Sequence, residues 1–223
     1  KRTITLNKHK FVSWFLSDVS MAKSPAATLE RFGMQKGFQL AKAVFQDVLS
    51  AVTSTNYGSA AHTGLAANFD YADVVDIKDA CDTADMPEVP RSLILGSSYY
   101  NALLKDSVIK DAAALGATAN QTGSLPNLSG FMTYRSSLIP GNSQNLVGFA
   151  AYPSALITAM RYLQPAGRSQ DGVYRPVADE KTGITLGYRE FYDNDSGNVV
   201  AVLECFYGYA LGEASSLKRI VSA

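Results

Sequence analysis

The sequence has little cysteine and no long apolar run. Its two cysteines, Cys81 and Cys205, lie far apart and form no CxxC motif, so they predict two buried reduced thiols rather than a disulfide framework or a zinc site. No apolar segment approaches the roughly 20 residues that a membrane-crossing helix needs, so we expect no membrane partner. Because the chain starts at Lys1 without Met and without an apolar signal segment, we expect a processed or trimmed product.

The sequence also lacks an excess of charge of either sign. It has 20 Lys and Arg residues and 20 Asp and Glu residues, so the whole chain has no net attraction toward nucleic acid or an acidic membrane. Of its 223 residues, 47% are hydrophobic, with 12 Tyr and 10 Phe, which excludes a disordered chain. This length and composition predict one large globular domain or two small ones with real cores.

Residues that carry chemistry are scarce. The two histidines, His9 and His62, have no partner at metal-ligand spacing. The stretch LGSSYY lacks the second glycine of a G-x-S-x-G nucleophile elbow, so it predicts a strand-to-helix turn with Ser97 or Ser98 as the helix N-cap. We therefore expect no enzyme, no cofactor and no metal site. The competing hypothesis is a hydrolase that uses His62 near Ser97 or Ser98, although no Asp or Glu at motif spacing orients the histidine.

Two acidic stretches resemble metal sites but have the wrong spacing. Aspartates recur every third residue from Asp70 to Asp85, and this period drifts around a 3.6-residue helix, so they predict a solvated helix face. The stretch YDNDSGNVV at 192–200 resembles a calcium loop. Counted from Asp193, it fits such a loop only at the first two ligands and at Glu204, and its flanks have the β-branched and aromatic residues of strands. It therefore predicts a tight turn in a hairpin.

The amino-terminal quarter predicts an edge strand and a long helix. The segment KRTITLNKHKFVSWFLSDV alternates polar and apolar residues before an aromatic run, so it predicts an extended edge that a partner would protect. Ser24 is a good N-cap and Pro25 suits the first helical position, so a helix is expected from Pro25 to Val52. Its apolar residues are spaced by four and three, which predicts one face packed on a sheet. They are Met34, Phe38, Ala41, Phe45, Val48 and Val52.

The rest of the chain predicts a mixed unit followed by strands. An acidic helix at 70–85 places Tyr71, Val74, Ile77 and Cys81 on one side. A buried strand at Ser92–Leu95 then precedes a helix that buries Tyr100, Leu103 and Leu104. The segment 128–163 predicts a strand, a Pro-Gly turn, a second strand and a helix entered through Pro153. From Asp171 onward strands dominate, in GVYRPVA, ITLGYREFY, VVAVLECFYGYAL and LKRIV. The expected fold class is α+β, ending in an antiparallel sheet.

This order of elements resembles the major capsid proteins of tailed bacteriophages, which have the HK97-like fold. The resemblance covers essentially the whole chain, and its main segments are AATLERFGMQKGFQLAKAVFQDVLSAV, RSLILGSSYYNALLKD and the closing strands. It implies an extended-loop return strand at 1–23, a spine helix of the peripheral domain at 24–56, an inserted α/β axial domain at 57–167 and peripheral-domain strands at 168–223. The family's amino-terminal arm and the first strand of its extended loop have no counterpart in this sequence.

The resemblance implies a structural shell subunit that assembles through pentamers and hexamers into an icosahedral shell around phage DNA. The expected location is the virion, after assembly in the cytoplasm of the host bacterium. The implied partners are other copies of the chain, scaffolding, portal or decoration proteins, and packaged DNA through local nonspecific contacts. An alternative within the same fold is an encapsulin-like compartment that holds enzymes.

The resemblance also suggests which residues make contacts between subunits. The basic arm would reach over a neighbour, and the loops at 116–124 and 141–145 would approach the capsomer axis. The candidates are Lys1, Arg2, Lys8, Lys10, Phe11, Gly141 and Asn142. The same arm, with Trp14 nearby, also fits a nucleic-acid stacking platform. Some family members cross-link lysine to asparagine. Here Lys8 or Lys10 would be the donor, Asn198 the acceptor and Glu204 the assisting carboxylate, at a spacing that departs from the family's.

Overall fold

The computed structural model describes residues 3–23, 27–111, 123–125, 127–163, 172–178 and 184–223. The strands are β1 (Lys8–Ser17), β2 (Ala60–Thr63), β3 (Arg91–Leu95), β4 (Phe131–Arg135), β5 (Leu146–Ala151), β6 (Leu156–Arg161), β7 (Gly172–Ala178), β8 (Thr185–Asp193), β9 (Asn198–Leu211) and β10 (Leu217–Val221). The helices are α1 (Asp18–Lys23), α2 (Ala27–Leu49), α3 (Ser54–Tyr57), α4 (Tyr71–Thr83), α5 (Ser97–Lys105) and α6 (Ser107–Asp111). The expected α+β fold class is confirmed.

The chain divides into two compact units. Unit 1 contains Lys1–Phe45 and Thr158–Ala210, and unit 2 contains Gln46–Ile157 and Leu211–Ala223. The boundaries fall inside α2, β6 and β9, so these three elements contribute residues to both units. The sequence had placed the first change of domain at residue 57, about ten residues further along the chain.

Unit 1 is built on an antiparallel sheet, which we call sheet A. Its strand order is β1-β9-β8-β7, and β6 also pairs with β9. The register pairs Trp14 with Ala201 across β1 and β9, and Gly187 with Glu204 across β8 and β9. The β8 and β9 strands are joined by the turn that the sequence predicted at Asp193. In this turn Gly197 has a φ of 63°, which glycine adopts without steric cost.

The long helix α2 buries only part of the predicted apolar row. Val48 and Val52, at the carboxyl end of that row, are buried as expected, whereas Met34 and Phe38 are 69% and 67% exposed. Nearer the amino end of the helix, a neighbouring row with Leu40 and Val44 is buried instead. The predicted start at Ser24 and Pro25 lies outside the described residues.

Unit 2 is built on a mixed sheet, which we call sheet B, with the order β2-β10-β5-β3-β4. One face of sheet B carries a core that includes Leu93, Leu95 and Ile220 together with Ile77 of α4 and Leu103 of α5. The other face carries a second core, which contains Leu49, Val52, Tyr57, Leu146, Phe149, Ala155 and Leu217. Both faces of sheet B are therefore covered.

The acidic helix α4 confirms its sequence prediction. Val74, Ile77 and Cys81 are buried along one side. Asp70 is the N-cap, and its side chain accepts the Asp73 backbone N–H while the Asp73 carboxylate accepts the Asp70 N–H, which is a capping box. The carboxylates of Asp76 and Asp79 lie on the exposed side.

Three local predictions are wrong. The N-cap of α5 is Gly96, with no side-chain cap, so Ser97 and Ser98 lie inside the first turn. The segment after Pro153 forms strand β6 instead of a helix, because Leu156–Arg161 adds to the edge of β9 in sheet A. The last strand, β10, does not join the terminal sheet. It pairs in parallel with β2 and antiparallel with β5 in sheet B.

The two cysteines are buried free thiols, as the sequence predicted. Burial raises the pKa of Cys81 and the pKa of Cys205 to about 11, because desolvation disfavours the thiolate. One thiol lies in each unit, Cys205 on β9 of sheet A and Cys81 on α4 of unit 2. Across the described ranges, no helix has the length and apolarity to cross a membrane.

Candidate assembly surface on the first strand

The strand β1 presents two chemically different faces. Its burial alternates residue by residue, as a strand with one covered face requires. Lys10, Val12 and Trp14 point toward α2, and Trp14 is buried there beside Gly33. Phe11 and Phe15 point the other way and are 62% and 69% exposed. Phe11 and Phe15 therefore form an exposed aromatic pair on one face of β1.

The strand β1 is also an edge of sheet A. Among the described residues, no strand pairs with its other side. Its ten residues contain no proline, and no charge follows Lys10 within the strand. The opposite edge, β7, carries Pro176, which has no N–H to offer to an added strand. Sheet A therefore has one protected edge and one edge with backbone groups available for pairing.

The basic residues at the start of β1 are engaged within unit 1. The Lys10 ammonium donates to the Ala43 carbonyl of α2 at 2.8 Å. The Lys8 ammonium donates to the Tyr209 hydroxyl at 3.1 Å and lies 4.5 Å from the centre of that ring. Beside Lys10, a cleft of about 400 Å³ opens between β1 and α2, lined by residues 9–12, Gln39, Leu40 and Ala43. Lys1 and Arg2 lie outside the described residues.

A buried carboxylate lies next to the exposed aromatic face. Glu204 is 4% exposed, and its Oε2 is 3.1 Å from His9 Nε2 and 3.0 Å from an Arg189 Nη. The strand β9 supplies the glutamate, β1 the histidine and β8 the arginine, so the cluster ties three adjacent strands together. His9 also stacks on Phe11, with ring centres 5.7 Å apart.

Gly187 makes room for this cluster. It lies opposite Glu204 in the register, and a Cβ there would be 3.0 Å from Glu204 Cγ and 3.1 Å from the Tyr162 ring. The Tyr162 ring, which follows the end of β6, therefore lies beside Gly187. From the sequence, Glu204 was considered only as a calcium-loop position and as part of a cross-linking site, and Arg189 was missed. One signal was available, since Glu204 is the single charged residue in NVVAVLECFYGYAL.

The loop at 141–145 makes hydrogen bonds within the subunit. The Asn142 side-chain amide donates to the Leu49 carbonyl at 3.0 Å and to the Val52 carbonyl at 2.8 Å, so it caps the carboxyl end of α2. Asn142, Ser143 and Asn145 all have positive φ angles near 50°. A Cβ added at Gly141 would have no neighbouring atom within 4 Å, so this side of the glycine is open to solvent. Of the loop at 116–124, only Gly123 and Ser124 are described.

The residues of the suggested cross-link do not meet within one subunit. Asn198 and Glu204 are six residues apart on one strand, which separates them by about 20 Å. The Asn198 amide donates to the Ser196 hydroxyl in the turn. Glu204 is held by His9 and Arg189 at the other end of β9's paired stretch. Within one subunit Glu204 therefore does not lie beside Asn198. A cross-link between subunits would draw its residues from different copies, so the cross-link stays a prediction.

The hydrolase hypothesis also finds no assembled site. His62 Nδ1 lies 3.4 Å from Asp73 Oδ1, so the histidine does have an orienting carboxylate. Its other nitrogen, Nε2, is buried against Gly64 and has no hydrogen-bond partner among the described residues, so no described serine hydroxyl pairs with it. Phe69 packs edge-on against the ring, with centres 5.1 Å apart. This arrangement is a packed histidine rather than a serine–histidine pair.

Comparison with solved structures identifies the fold. The capsid structure of the cyanophage P-SCSP1u superposes with a TM-score of 0.70 at 16% identity, covering 99% of this chain and 73% of that chain. A structure from Mycobacterium phage Che8 gives a TM-score of 0.68 at 14% identity, with 97% and 71% covered. The chain has the fold of tailed-phage capsid proteins, which confirms the resemblance found in the sequence.

The same fold occurs in shells that are not phage capsids. The holo-SrpI encapsulin complex from Synechococcus elongatus gives a TM-score of 0.54 at 8% identity, covering 96% of this chain and 73% of that chain. No protein-family model matches the sequence. No curated protein matches it either. At these sequence identities the similarity establishes the fold only. A function has to be argued from the residues of this chain.

Proposed function

We propose that this protein is the major capsid subunit of a tailed bacteriophage and assembles into an icosahedral shell through contacts made by β1. The single observation that carries the proposal is the unprotected edge of β1 with Phe11 and Phe15 exposed beside it. A long unblocked edge with apolar side chains recruits other chains, and soluble monomers normally avoid one. Phage capsid structures with the same fold support the proposal, because a shell subunit uses such a surface in its assembled state.

The proposal assigns roles to the two units. Unit 1 is the peripheral domain with α2 as its spine helix, and unit 2 is the axial domain inserted between its halves. The loop with Gly141 and the segment with Lys1 and Arg2 approach neighbouring subunits, in pentamers and hexamers. Scaffolding, portal and decoration proteins, and nonspecific DNA contacts, complete the expected partners. The location is the virion, with assembly in the host cytoplasm.

The encapsulin-like compartment is the second candidate, since an encapsulin complex has the same fold. It differs from a capsid in contents rather than in shell geometry. The phage structures superpose more closely than the encapsulin does, with TM-scores of 0.70 and 0.54 for the two cited examples, and this favours the capsid.

Expression of the complete reading frame in bacteria, followed by negative-stain electron microscopy of the purified particles, tests the proposal. We expect closed shells or capsomer-sized rings. The ratio of absorbance at 260 and 280 nm and a protein gel of the contents then separate nucleic acid from enclosed enzyme. A folded protein that stays monomeric over a wide range of concentration and salt would contradict the shell function for both candidates.

A further inference from the structure

On the face of sheet A that carries α2, the described elements cover only about half of the sheet. Four strands spaced about 4.8 Å apart make a surface roughly 19 Å wide, whereas a helix with its side chains is about 10 Å across. The helix α2 lies over β1 and β9. A Cβ on Gly33 would be 3.5 Å from Trp14 of β1, and one on Gly37 would be 3.7 Å from Leu203 of β9. The strands β8 and β7 extend beyond it.

The uncovered half has an apolar floor. In the register, Arg175 pairs with Tyr188 and Tyr188 pairs with Leu203, so the odd-numbered residues of β7 point to the α2 side of the sheet. Two of them, Val173 and Val177, are 41% and 51% exposed. These two valines lie on either side of Arg175 and form an apolar surface on which another element could pack. No described element lies above them.

The flank of α2 forms the wall beside this floor. Gln39 and Ala43 line the cleft toward β1, so the flank of α2 about half a turn away faces β8 and β7. That flank carries Met34, Phe38 and Phe45, all exposed, and Ala41 between them. The spacing 34, 38, 41 and 45 is the four-three-four spacing of a helix-pairing seam. We call the surface formed by Met34, Phe38, Ala41, Phe45, Val173 and Val177 the α2–β7 groove.

The charges around the α2–β7 groove favour an acidic occupant. Lys42 is exposed between the positions of Phe38 and Phe45, and Arg175 is exposed on the floor. The acidic residue on the same face, Glu190, already accepts the Tyr188 hydroxyl at 2.5 Å. Two cations and one carboxylate therefore border the groove, which leaves it with a net positive charge. Unit 1 as a whole has 13 Lys and Arg residues against nine Asp and Glu.

The size of the α2–β7 groove favours one helix rather than a whole second subunit. Its five large exposed side chains offer roughly 100 Å² each, or about 500 Å² together. A stable protein interface buries about 800 Å² on each partner. The groove alone therefore suits a single added helix, held at micromolar affinity. The α4 helix of another copy cannot fill the groove, because its apolar side is already buried in unit 2 of that copy.

We propose that the α2–β7 groove binds an amphipathic helix with acidic flanks, supplied by a partner protein. The helix lies on β8 and β7 beside α2, completes the cover of sheet A, and places its carboxylates near Lys42 and Arg175. This binding goes beyond shell formation and does not use the edge or the exposed phenylalanines of β1. It can therefore be tested separately from assembly.

The test uses the full chain and two synthetic probes. Each is a fluorescein-labelled 18-residue amphipathic helix with leucine at four-three spacing, and its polar positions are either glutamate or lysine. Anisotropy measures binding, and the single tryptophan, Trp14, reports it independently, because its ring lies 6.5 Å from Tyr188 in the floor. We expect micromolar binding of the glutamate helix and at least tenfold weaker binding of the lysine helix.

Three variants locate the binding. Phe38→Ala weakens binding of the glutamate helix at least fivefold. Lys42→Glu also weakens binding of the glutamate helix, and it strengthens binding of the lysine helix. Phe15→Ala, a matched loss of an exposed ring on the opposite face of sheet A, changes binding less than twofold. Equal binding of both helices, or equal effects of Phe38→Ala and Phe15→Ala, overturns the proposal. A dimer of the wild-type chain that Phe38→Ala dissociates would instead assign the groove to a second copy and also overturns it.

Discussion

The two sheets of this protein are covered to different extents. Sheet B has a hydrophobic core on each face, whereas sheet A has α2 over half of one face and exposed phenylalanines on the other. The charges differ as well. Unit 1 has a net charge of +4, from 13 basic and nine acidic residues, and unit 2 has −4, from seven and 11. The neutral total of the chain conceals this division.

This difference concerns the apolar side chains that each unit leaves exposed. Unit 2 also exposes some large apolar side chains, among them Leu65, Val89 and Val108, but every exposed phenylalanine of the described residues lies in unit 1. Unit 1 leaves large apolar side chains on β1, α2 and β7 in water, where they contribute nothing to folding. Such side chains gain free energy only when another molecule covers them. Unit 1 therefore exposes more aromatic surface than unit 2.

The largest expected effect is in the core of unit 2. Leu103 is fully buried between α5 and sheet B, so Leu103→Ala should lower the free energy of unfolding by about 3–4 kcal/mol through lost burial and the cavity left behind. Phe38→Ala removes a larger side chain from α2 but should change stability by less than about 0.5 kcal/mol, because the ring is exposed. Urea denaturation measures both. Equal losses would contradict the claimed difference between the units.

A smaller loss is expected at the charged cluster of sheet A. Glu204→Ala should cost about 1–2 kcal/mol, since three strands lose a shared contact. The cost stays below that of breaking a fully buried ion pair, because Arg189 and His9 are each more than a third exposed and can be hydrated again. A double-mutant cycle with Arg189→Met gives the coupling energy. A coupling near zero would show that the two side chains do not depend on each other.

The cap on α2 should contribute about 1 kcal/mol. Asn142→Ala removes two hydrogen bonds to carbonyls at the end of the helix and places alanine at a φ of 51°. Asn142→Gly loses the same bonds without the backbone strain. The difference between these variants in thermal unfolding therefore separates strain from capping. If glycine restores full stability, the amide contributes nothing.

The smallest expected effect is a pH dependence from the two thiols. Both have a folded-state pKa of about 11 against an ordinary value of 9.0, so their contribution to stability is complete below pH 9 and is lost as pH rises toward 11. At pH 8 both thiols should react slowly with a thiol reagent. Cys205 should react before Cys81. Local opening of sheet A exposes less buried apolar surface than opening of unit 2, so it costs less free energy and occurs more often. Single Cys→Ser variants identify each signal, and the reverse order would contradict the comparison.

The sequence correctly predicted those elements that have one clear pattern of apolar or turn residues. The helix with Val74, Ile77 and Cys81 and the hairpin at Asp193 follow directly from such signals. The buried face of α2 followed only in part. The helix has two apolar rows, and Val48 of the predicted row is buried, whereas Met34 and Phe38 are exposed. The strand after Pro153 was missed for a related reason. Its short apolar run fits a helix or a strand, and pairing with β9 decides between them.

The candidate assembly surface was predictable only in part. The basic edge strand and its exposed Phe11 follow from an alternating amino-terminal segment, and the structure places both at the edge of sheet A. The cluster of Glu204, His9 and Arg189 joins residues up to 195 positions apart, so no local pattern reveals it. The role of Asn142 was likewise hidden, since its contacts with Leu49 and Val52 depend on the folded position of the loop.

The most direct test of the assembly claim is sedimentation velocity, with negative-stain microscopy, of the wild-type protein beside the double variant Phe11→Ser and Phe15→Ser. Val75→Ser, which changes an exposed apolar residue of unit 2, is the matched control. We predict shells or capsomers for the wild type and the control, and a folded monomer with unchanged circular dichroism for the double variant. Shells of normal size from the double variant, or a wild-type chain that never associates, would contradict the account.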